Sequence, residues 1–166
     1  MFSLKDKVVV LTGATGKLGG SVALSLAQSN AKIIVLGRSQ KLLDLLSNKL
    51  SPLTETATFV VDVMNKIALE GVRESIINQF GNIDILINAV GGNLPGAVIS
   101  DDQSIFDMSE SDFDEVVDLN LKGAVLPSIV FGKSMSKQGR GVIVNYSSMA
   151  VDRVITRVVG YSAAKA

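Results

Sequence analysis

Short, almost wholly apolar runs alternate along this chain with longer stretches whose apolar residues recur at helical spacing. Residues 7–12, Lys-Val-Val-Val-Leu-Thr, read as a strand, and 18–29 as a helix behind a glycine-rich turn. The alternation repeats as strand 32–36 and helix 41–50, strand 58–61 and helix 66–80, then strand 83–88. A stretch rich in Gly, Asp and Ser over 91–110 reads as a loop, followed by one helix over 111–135 and a fifth strand over 141–146. Because the strands are continuously apolar rather than alternating, they predict burial on both faces, as in a parallel sheet covered by helices. Right-handed crossovers then give an open, doubly wound α/β sheet of three layers, with every strand's carboxyl end on one edge, where ligands bind. No repeat, linker or low-complexity segment divides the chain, so residues 1–166 are expected to form one domain.

Composition narrows the chemistry. Sixteen Lys and Arg balance sixteen Asp and Glu, which leaves no broad basic field for nucleic acid. The apolar runs are far too short to cross a bilayer, so a soluble, cytoplasmic protein without membrane partners is expected. There is no Cys and no His. That removes disulfides, thiol nucleophiles, thiolate zinc sites and imidazole bases together, and leaves acid/base work to Tyr, Lys, Asp or Glu. No tight Asp/Glu constellation has ligand spacing, so no metal is expected.

The turn after the first strand reads Thr12-Gly13-Ala14-Thr15-Gly16-Lys17-Leu18-Gly19. Glycines there permit a tight turn and close approach of backbone to a pyrophosphate, while the following helix offers N–H groups and the positive end of its dipole. The spacing of Gly13, Gly16 and Gly19 differs from the plain G-x-G-x-x-G fingerprint, and such a turn also occurs for purely structural reasons. A P-loop is ruled out: Lys17 is followed by Leu18 instead of Ser or Thr, and Leu11 stands where its first glycine belongs.

At the end of the second strand an acidic residue would hold a ribose 2′-hydroxyl, whereas a basic one would accommodate a 2′-phosphate. Here the strand runs into Gly37-Arg38-Ser39. Arg38 therefore favours NADP(H) over NAD(H), although a solvated surface arginine would leave the same trace.

Near the end of the chain, Ser147-Ser148 follows the fifth strand, and Tyr161-Ser162-Ala163-Ala164-Lys165 follows a loop. Tyr161 and Lys165, four apart, share one face of a helix, where an ammonium favours the phenolate and makes Tyr161 a candidate acid/base group. A lone Tyr-x-x-x-Lys pair is an ordinary helix surface, but this one is not alone.

Taken in order, the turn Thr12 to Gly19, Asp62-Val63, Asn88-Ala89-Val90-Gly91, Asn120 within Asp-Leu-Asn-Leu-Lys-Gly, Ser148, and Tyr161 to Lys165 resemble the short-chain dehydrogenase/reductase family, from Phe2 to Ala166. The resemblance implies a Rossmann-type domain that binds NAD(P) and moves hydride reversibly between nicotinamide and a secondary alcohol or ketone. It implies that Ser148 holds the substrate oxygen, Tyr161 exchanges the proton, Lys165 holds the nicotinamide ribose and tunes Tyr161, and Asn120 supports a proton-relaying water. Gly13, Thr15, Gly16, Lys17, Leu18 and Gly19 would meet the pyrophosphate, Asp62 and Val63 the adenine, and Asn88, Ala89 and Gly91 would flank the cofactor. Each residue also has an ordinary structural use, as strand cap, helix-interior hydrogen-bond donor or turn former.

Two departures stand out. The family's middle glycine falls where Lys17 stands, with Gly16 one place earlier, and the Asn-Asn-Ala-Gly motif is altered to Asn88-Ala89-Val90-Gly91. Gly91-Gly92-Asn93-Leu94-Pro95, the Asp-rich loop and Ser147-Ser148-Met149 look most like sugar-acid oxidoreductases of the D-mannonate (fructuronate) and gluconate 5-dehydrogenase kind. Such relatives continue through the Tyr/Lys helix, two more strands and a substrate loop, and are often tetramers. This chain stops one residue after Lys165, so it is expected to be a C-terminally truncated piece with little or no activity by itself, from a homo-oligomeric whole. Alternatives are a ketoacyl reductase-type member, a non-catalytic dinucleotide sensor, and a structural partner using helix 111–135 as an interface.

Overall fold

The computed structural model describes residues 3–153 and 155–166. Five strands, β1 (Val8–Thr12), β2 (Lys32–Gly37), β3 (Thr56–Val60), β4 (Ile85–Asn88) and β5 (Val142–Asn145), form one sheet in the order β3-β2-β1-β4-β5, with all neighbours parallel. The helices are α1 (Lys17–Gln28), α2 (Gln40–Leu50), α3 (Lys66–Phe80), α4 (Glu110–Val117), α5 (Gly123–Lys137) and α6 (Val159–Lys165).

The pleat sorts the core into two layers. Val8 and Val10 of β1 join Ile34, Leu36 and Leu86 against Leu69 and Ile76 of α3 and Val130, Phe131 and Met135 of α5. Val9 and Leu11 point the other way, with Ile33, Val35 and Ile87, onto Ala23 and Ala27 of α1 and Leu43, Leu46 and Leu50 of α2. The expected three-layer, doubly wound parallel sheet is therefore the fold. Ser39 and Asn65 cap the second and third helices, their side chains accepting from Leu42 N and Ala68 N.

Two expectations change. Residues 111–135 are not one α-helix: α4 and α5 are joined by a π turn over Asp118–Lys122, with buried Asn120 at its middle. The apolar run of β5 is exposed at all four residues, because it is the sheet's edge and no element covers both its faces among the described residues. As the Tyr161/Lys165 spacing predicts, that segment is helical: α6 has seven residues, too short to persist alone, and is held against α4, where buried Gly160 packs on Phe113.

Asp84 ties the opposite, amino edge together. Its buried carboxylate accepts from Val8 N, its carbonyl accepts from Val142 N, and Lys7 and Arg140 stand 3.8 and 3.9 Å away.

Candidate active site

The strand order turns outward on either side of β1, so the loops after β1 and β4 diverge and leave a crevice at the carboxyl edge. A cavity of about 260 Å³ lies there, lined by Gly13, Thr15 and Gly16 of the turn, Gly37 and Arg38 after β2, Val61 to Val63 after β3, and Ala89 to Gly91 after β4. The turn is forced close to the β4 loop: Gly13 has φ +67°, and a Cβ on it would lie 2.5 Å from the Ala89 carbonyl oxygen.

The predicted cofactor residues divide by position. Gly13, Thr15, Gly16, Arg38, Asp62, Val63, Ala89 and Gly91 line the cavity. Lys17 instead lines the neighbouring groove between α1 and α2, Leu18 is largely exposed, and Gly19 is buried beneath the turn. Asn88 is buried below the crevice, where its amide nitrogen lies 2.8 to 3.2 Å from Asn145 Oδ1, Ser128 Oγ and the Ala124 carbonyl. It ties the ends of β4 and β5 to α5, and its own Oδ1 has no hydrogen-bond partner among the described residues. Leu36, Gly37, Val61, Val90 and Leu119 also line the cavity outside the predicted set; each stands within two residues of a predicted one, the signal that points to them.

The residues predicted for chemistry converge beside Gly91. The Asn120 Oδ1 accepts from Gly92 N at 3.1 Å, and its Nδ2 donates to the Gly92 carbonyl at 2.7 Å and the Val116 carbonyl at 2.8 Å. The π turn disturbs the regular ladder around Val116, and the Asn120 amide serves that carbonyl. A Cβ on Gly91 would stand 2.5 Å from Asn120 Oδ1 and 3.1 Å from Lys165 Nζ, so only glycine lets these two groups approach.

Lys165 Nζ donates to the Tyr146 carbonyl at 3.0 Å and lies 5.9 Å from the centroid of the Tyr161 ring. The ammonium is thus steered by a backbone oxygen from the end of β5, a partner no side-chain motif announces. Ser147 Oγ donates to the Lys165 carbonyl at 3.4 Å, and Ser148 Oγ accepts from Ala150 N at 3.2 Å, turning the chain away from β5. Asn120 and Lys165 thus flank Gly91, which lines the cavity, and the Tyr161 ring stands beside Lys165; Asn120, Tyr161, Lys165 and Ser148 are not themselves among the lining residues, and Ser148 stands at the start of the next loop. Among the described residues no group of His, Cys, Asp and Glu could hold a metal, and no helix is long and apolar enough to cross a membrane.

Known proteins resemble this chain in sequence and in fold. UxuB, an uncharacterised oxidoreductase of Bacillus subtilis (strain 168), is 38% identical over 173 residues, covering 99% of this chain and 62% of its own length. An uncharacterised oxidoreductase of Haemophilus influenzae is 33% identical over 99% of this chain and 61% of its own. Among solved structures, a candidate D-mannonate oxidoreductase from Haemophilus influenza with bound NAD superposes with a TM-score of 0.89 at 32% identity, covering 98% of this chain and 62% of that one. An NAD+-bound xylitol dehydrogenase superposes at 0.88 with 29% identity, covering 97% and 60%. The chain thus spans about three-fifths of the length of these relatives. With residues 7–166 matching the short chain dehydrogenase family from the first strand through Lys165, this chain belongs to that family.

Proposed function

We propose that the full-length protein is an NAD(P)-dependent oxidoreductase that interconverts a secondary alcohol and a ketone, with a hydroxylated, anionic sugar acid such as D-mannonate/fructuronate or gluconate as substrate. The observation that carries this reading is the approach of Asn120 and of Lys165, with the Tyr161 ring beside it, to Gly91, which lines the same cavity as Gly13 and Gly16. The donor set suits a dinucleotide: backbone approaches without side-chain hindrance at Gly13 and Gly91, and Arg38 is among the residues that line the cavity. When bound, the nicotinamide supplies the hydride chemistry, and the protein supplies position and the proton.

In that division of labour, Gly13, Thr15 and Gly16 receive the diphosphate at the start of α1, and Asp62 and Val63 border the adenine. Arg38, with no carboxylate at the end of β2, favours NADP(H) ahead of NAD(H). Lys165, held by the Tyr146 carbonyl, places a positive charge beside the Tyr161 ring, where it stabilises the phenolate that forms when the hydroxyl gives its proton to the substrate oxygen. Ser148 donates a hydrogen bond to that same oxygen. Asn120 keeps the Gly91–Gly92 backbone in place through both ends of its amide. The sugar-acid assignment draws support from the candidate D-mannonate oxidoreductase and from the polar loop after β4. A cytoplasmic homo-oligomer, dimer or tetramer, completes the reading.

The test is turnover of fructuronate, gluconate and simple ketones by the full-length protein with each cofactor. Tyr161→Phe is expected to lower kcat by at least about 100-fold, the usual reach of a positioned acid/base group, while leaving the dinucleotide Kd unchanged. Undiminished turnover would remove Tyr161 from the chemistry. Arg38→Gln should narrow the preference for NADPH by about ten-fold in kcat/KM, the scale of one charge-assisted contact; an unaltered ratio assigns Arg38 to solvent.

A further inference from the structure

We propose that Arg157 and Asp101 form a latch joining the loop after β4 to the loop between Ser148 and Tyr161, setting the spacing of the two walls that face the substrate. The functional role of this latch rests on the reading above; the latch itself does not.

The two loops leave adjacent strands, the first at Gly91 beside Asn120 and Lys165, the second at Ser148 after β5. The first passes from Gly91 through short 3-10 turns at Pro95–Ala97 and Ile105–Asp107 before entering α4. Its base is fixed to that helix: Gly96 N donates to Asp112 Oδ2 at 3.0 Å, and Ser109 N donates to the Gly96 carbonyl at 3.0 Å. The second loop starts with a turn of its own, in which Val151 N donates to the Ser148 carbonyl and Arg153 N to that of Met149, at 3.1 and 2.9 Å. It ends where Tyr161 begins to be carried by α6.

Between these anchored ends the loops meet at Arg157. Ile99 N donates to the Arg157 carbonyl at 3.0 Å, and the Arg157 guanidinium pairs with the Asp101 carboxylate. Among the described residues these are the hydrogen bonds that cross from one loop to the other. Arg157 also has φ +72°, a left-handed conformation that a β-carbon disfavours and that persists where surroundings hold it. Three residues lie between it and Tyr161, so slack at Arg157 passes directly to the start of α6.

The pair is exposed, with side-chain accessibilities of 50% and 89%. An ion pair in water adds little to global stability and weakens with salt, so its consequence is local: it decides how often the two walls separate. Arg157 and Asp101 are accordingly positioning residues.

The experiment uses the full-length protein and three variants, Asp101→Asn, Arg157→Gln and the charge exchange D101R/R157D. Aspartate tolerates the left-handed conformation at 157, so the exchange carries no added backbone penalty. Trypsin cleavage after exposed Arg153, followed by mass spectrometry, reports opening without reference to activity. Each single variant should be cut about five-fold faster, with the exchange returning to the original rate and added salt accelerating the unmodified protein towards the singles. In fructuronate reduction, the singles should lose about ten-fold in kcat/KM for fructuronate with the NADPH Kd unchanged, and the exchange should recover it. Single variants cut at the original rate, or an exchange as labile as they are, would overturn the latch. Absence of turnover in the unmodified protein would overturn the substrate reading instead, leaving the proteolysis to decide the latch.

Discussion

β1 and β5 have nearly the same kind of sequence, Val-Val-Val-Leu-Thr against Val-Ile-Val-Asn, yet every residue of β1 is buried and every residue of β5 is exposed. Position in the sheet makes the difference. β1 has a strand on each side and helices on both faces, whereas β5 pairs with β4 alone and presents Val142, Ile143 and Val144 to solvent. An apolar run thus states what a strand needs; what it receives depends on its neighbours. The two halves of the candidate site follow the same division. The glycine turn Gly13–Gly16 grows from β1, among the most buried backbone, while Ser148, Tyr161 and Lys165 depend on segments around β5 that are held by a few hydrogen bonds and by α4.

Truncating one apolar side chain in each region measures that contrast. Ile34→Ala, in a fully buried site on β2, should cost about 2–5 kcal/mol in equilibrium denaturation. Ile143→Ala on β5 should cost about 1 kcal/mol or less, since the side chain stays in contact with water. Equal losses would mean that β5 is covered in solution. A smaller effect follows from the open edge itself: Val144→Lys should reduce concentration-dependent aggregation followed by light scattering, because a charge on an exposed edge blocks strand-to-strand addition. An unchanged aggregation rate would show that the edge is not the sticking surface.

The smallest effect lies in the loop after β4. Ser104 N and Ser104 Oγ both donate to Asp107 Oδ2 at 2.8 Å, the backbone bond foremost, and hold the Asp107 carboxyl below the usual carboxylate range. A depressed value in the folded state means that this contribution is present above the ordinary value of about 3.9 and is lost as pH falls through the lowered one. The Ser104 amide should therefore gain hydrogen-exchange rate, relative to its intrinsic rate, in that acid range, and Asp107→Asn should abolish the step. A step that survives the substitution belongs to another group.

Much of the site is legible in residue type and order alone. Gly13, Gly16, Arg38, Asp62, Gly91, Asn120, Tyr161 and Lys165 stand out in that way, and all lie at the carboxyl edge. Less visible is anything carried by backbone atoms or by a change in helical pitch. The Tyr146 carbonyl that steers Lys165 could have belonged to any residue, and the π turn at Asn120 lies inside a stretch whose apolar spacing suits an unbroken helix. Lys17 shows the converse: its place in the motif suggests a phosphate contact, but the turn of α1 carries it to the neighbouring groove.

The sequence by itself determined the alternation of strands and helices, the parallel sheet, the glycine turn and the family's chemical residues, because these follow from hydrophobic period, turn chemistry and residue type. Tertiary structure decided which apolar strand is covered, which carbonyl holds Lys165, how Asn120 uses its amide and where Arg157 meets Asp101. Those depend on distances between segments remote in the chain, and no local pattern encodes such a distance.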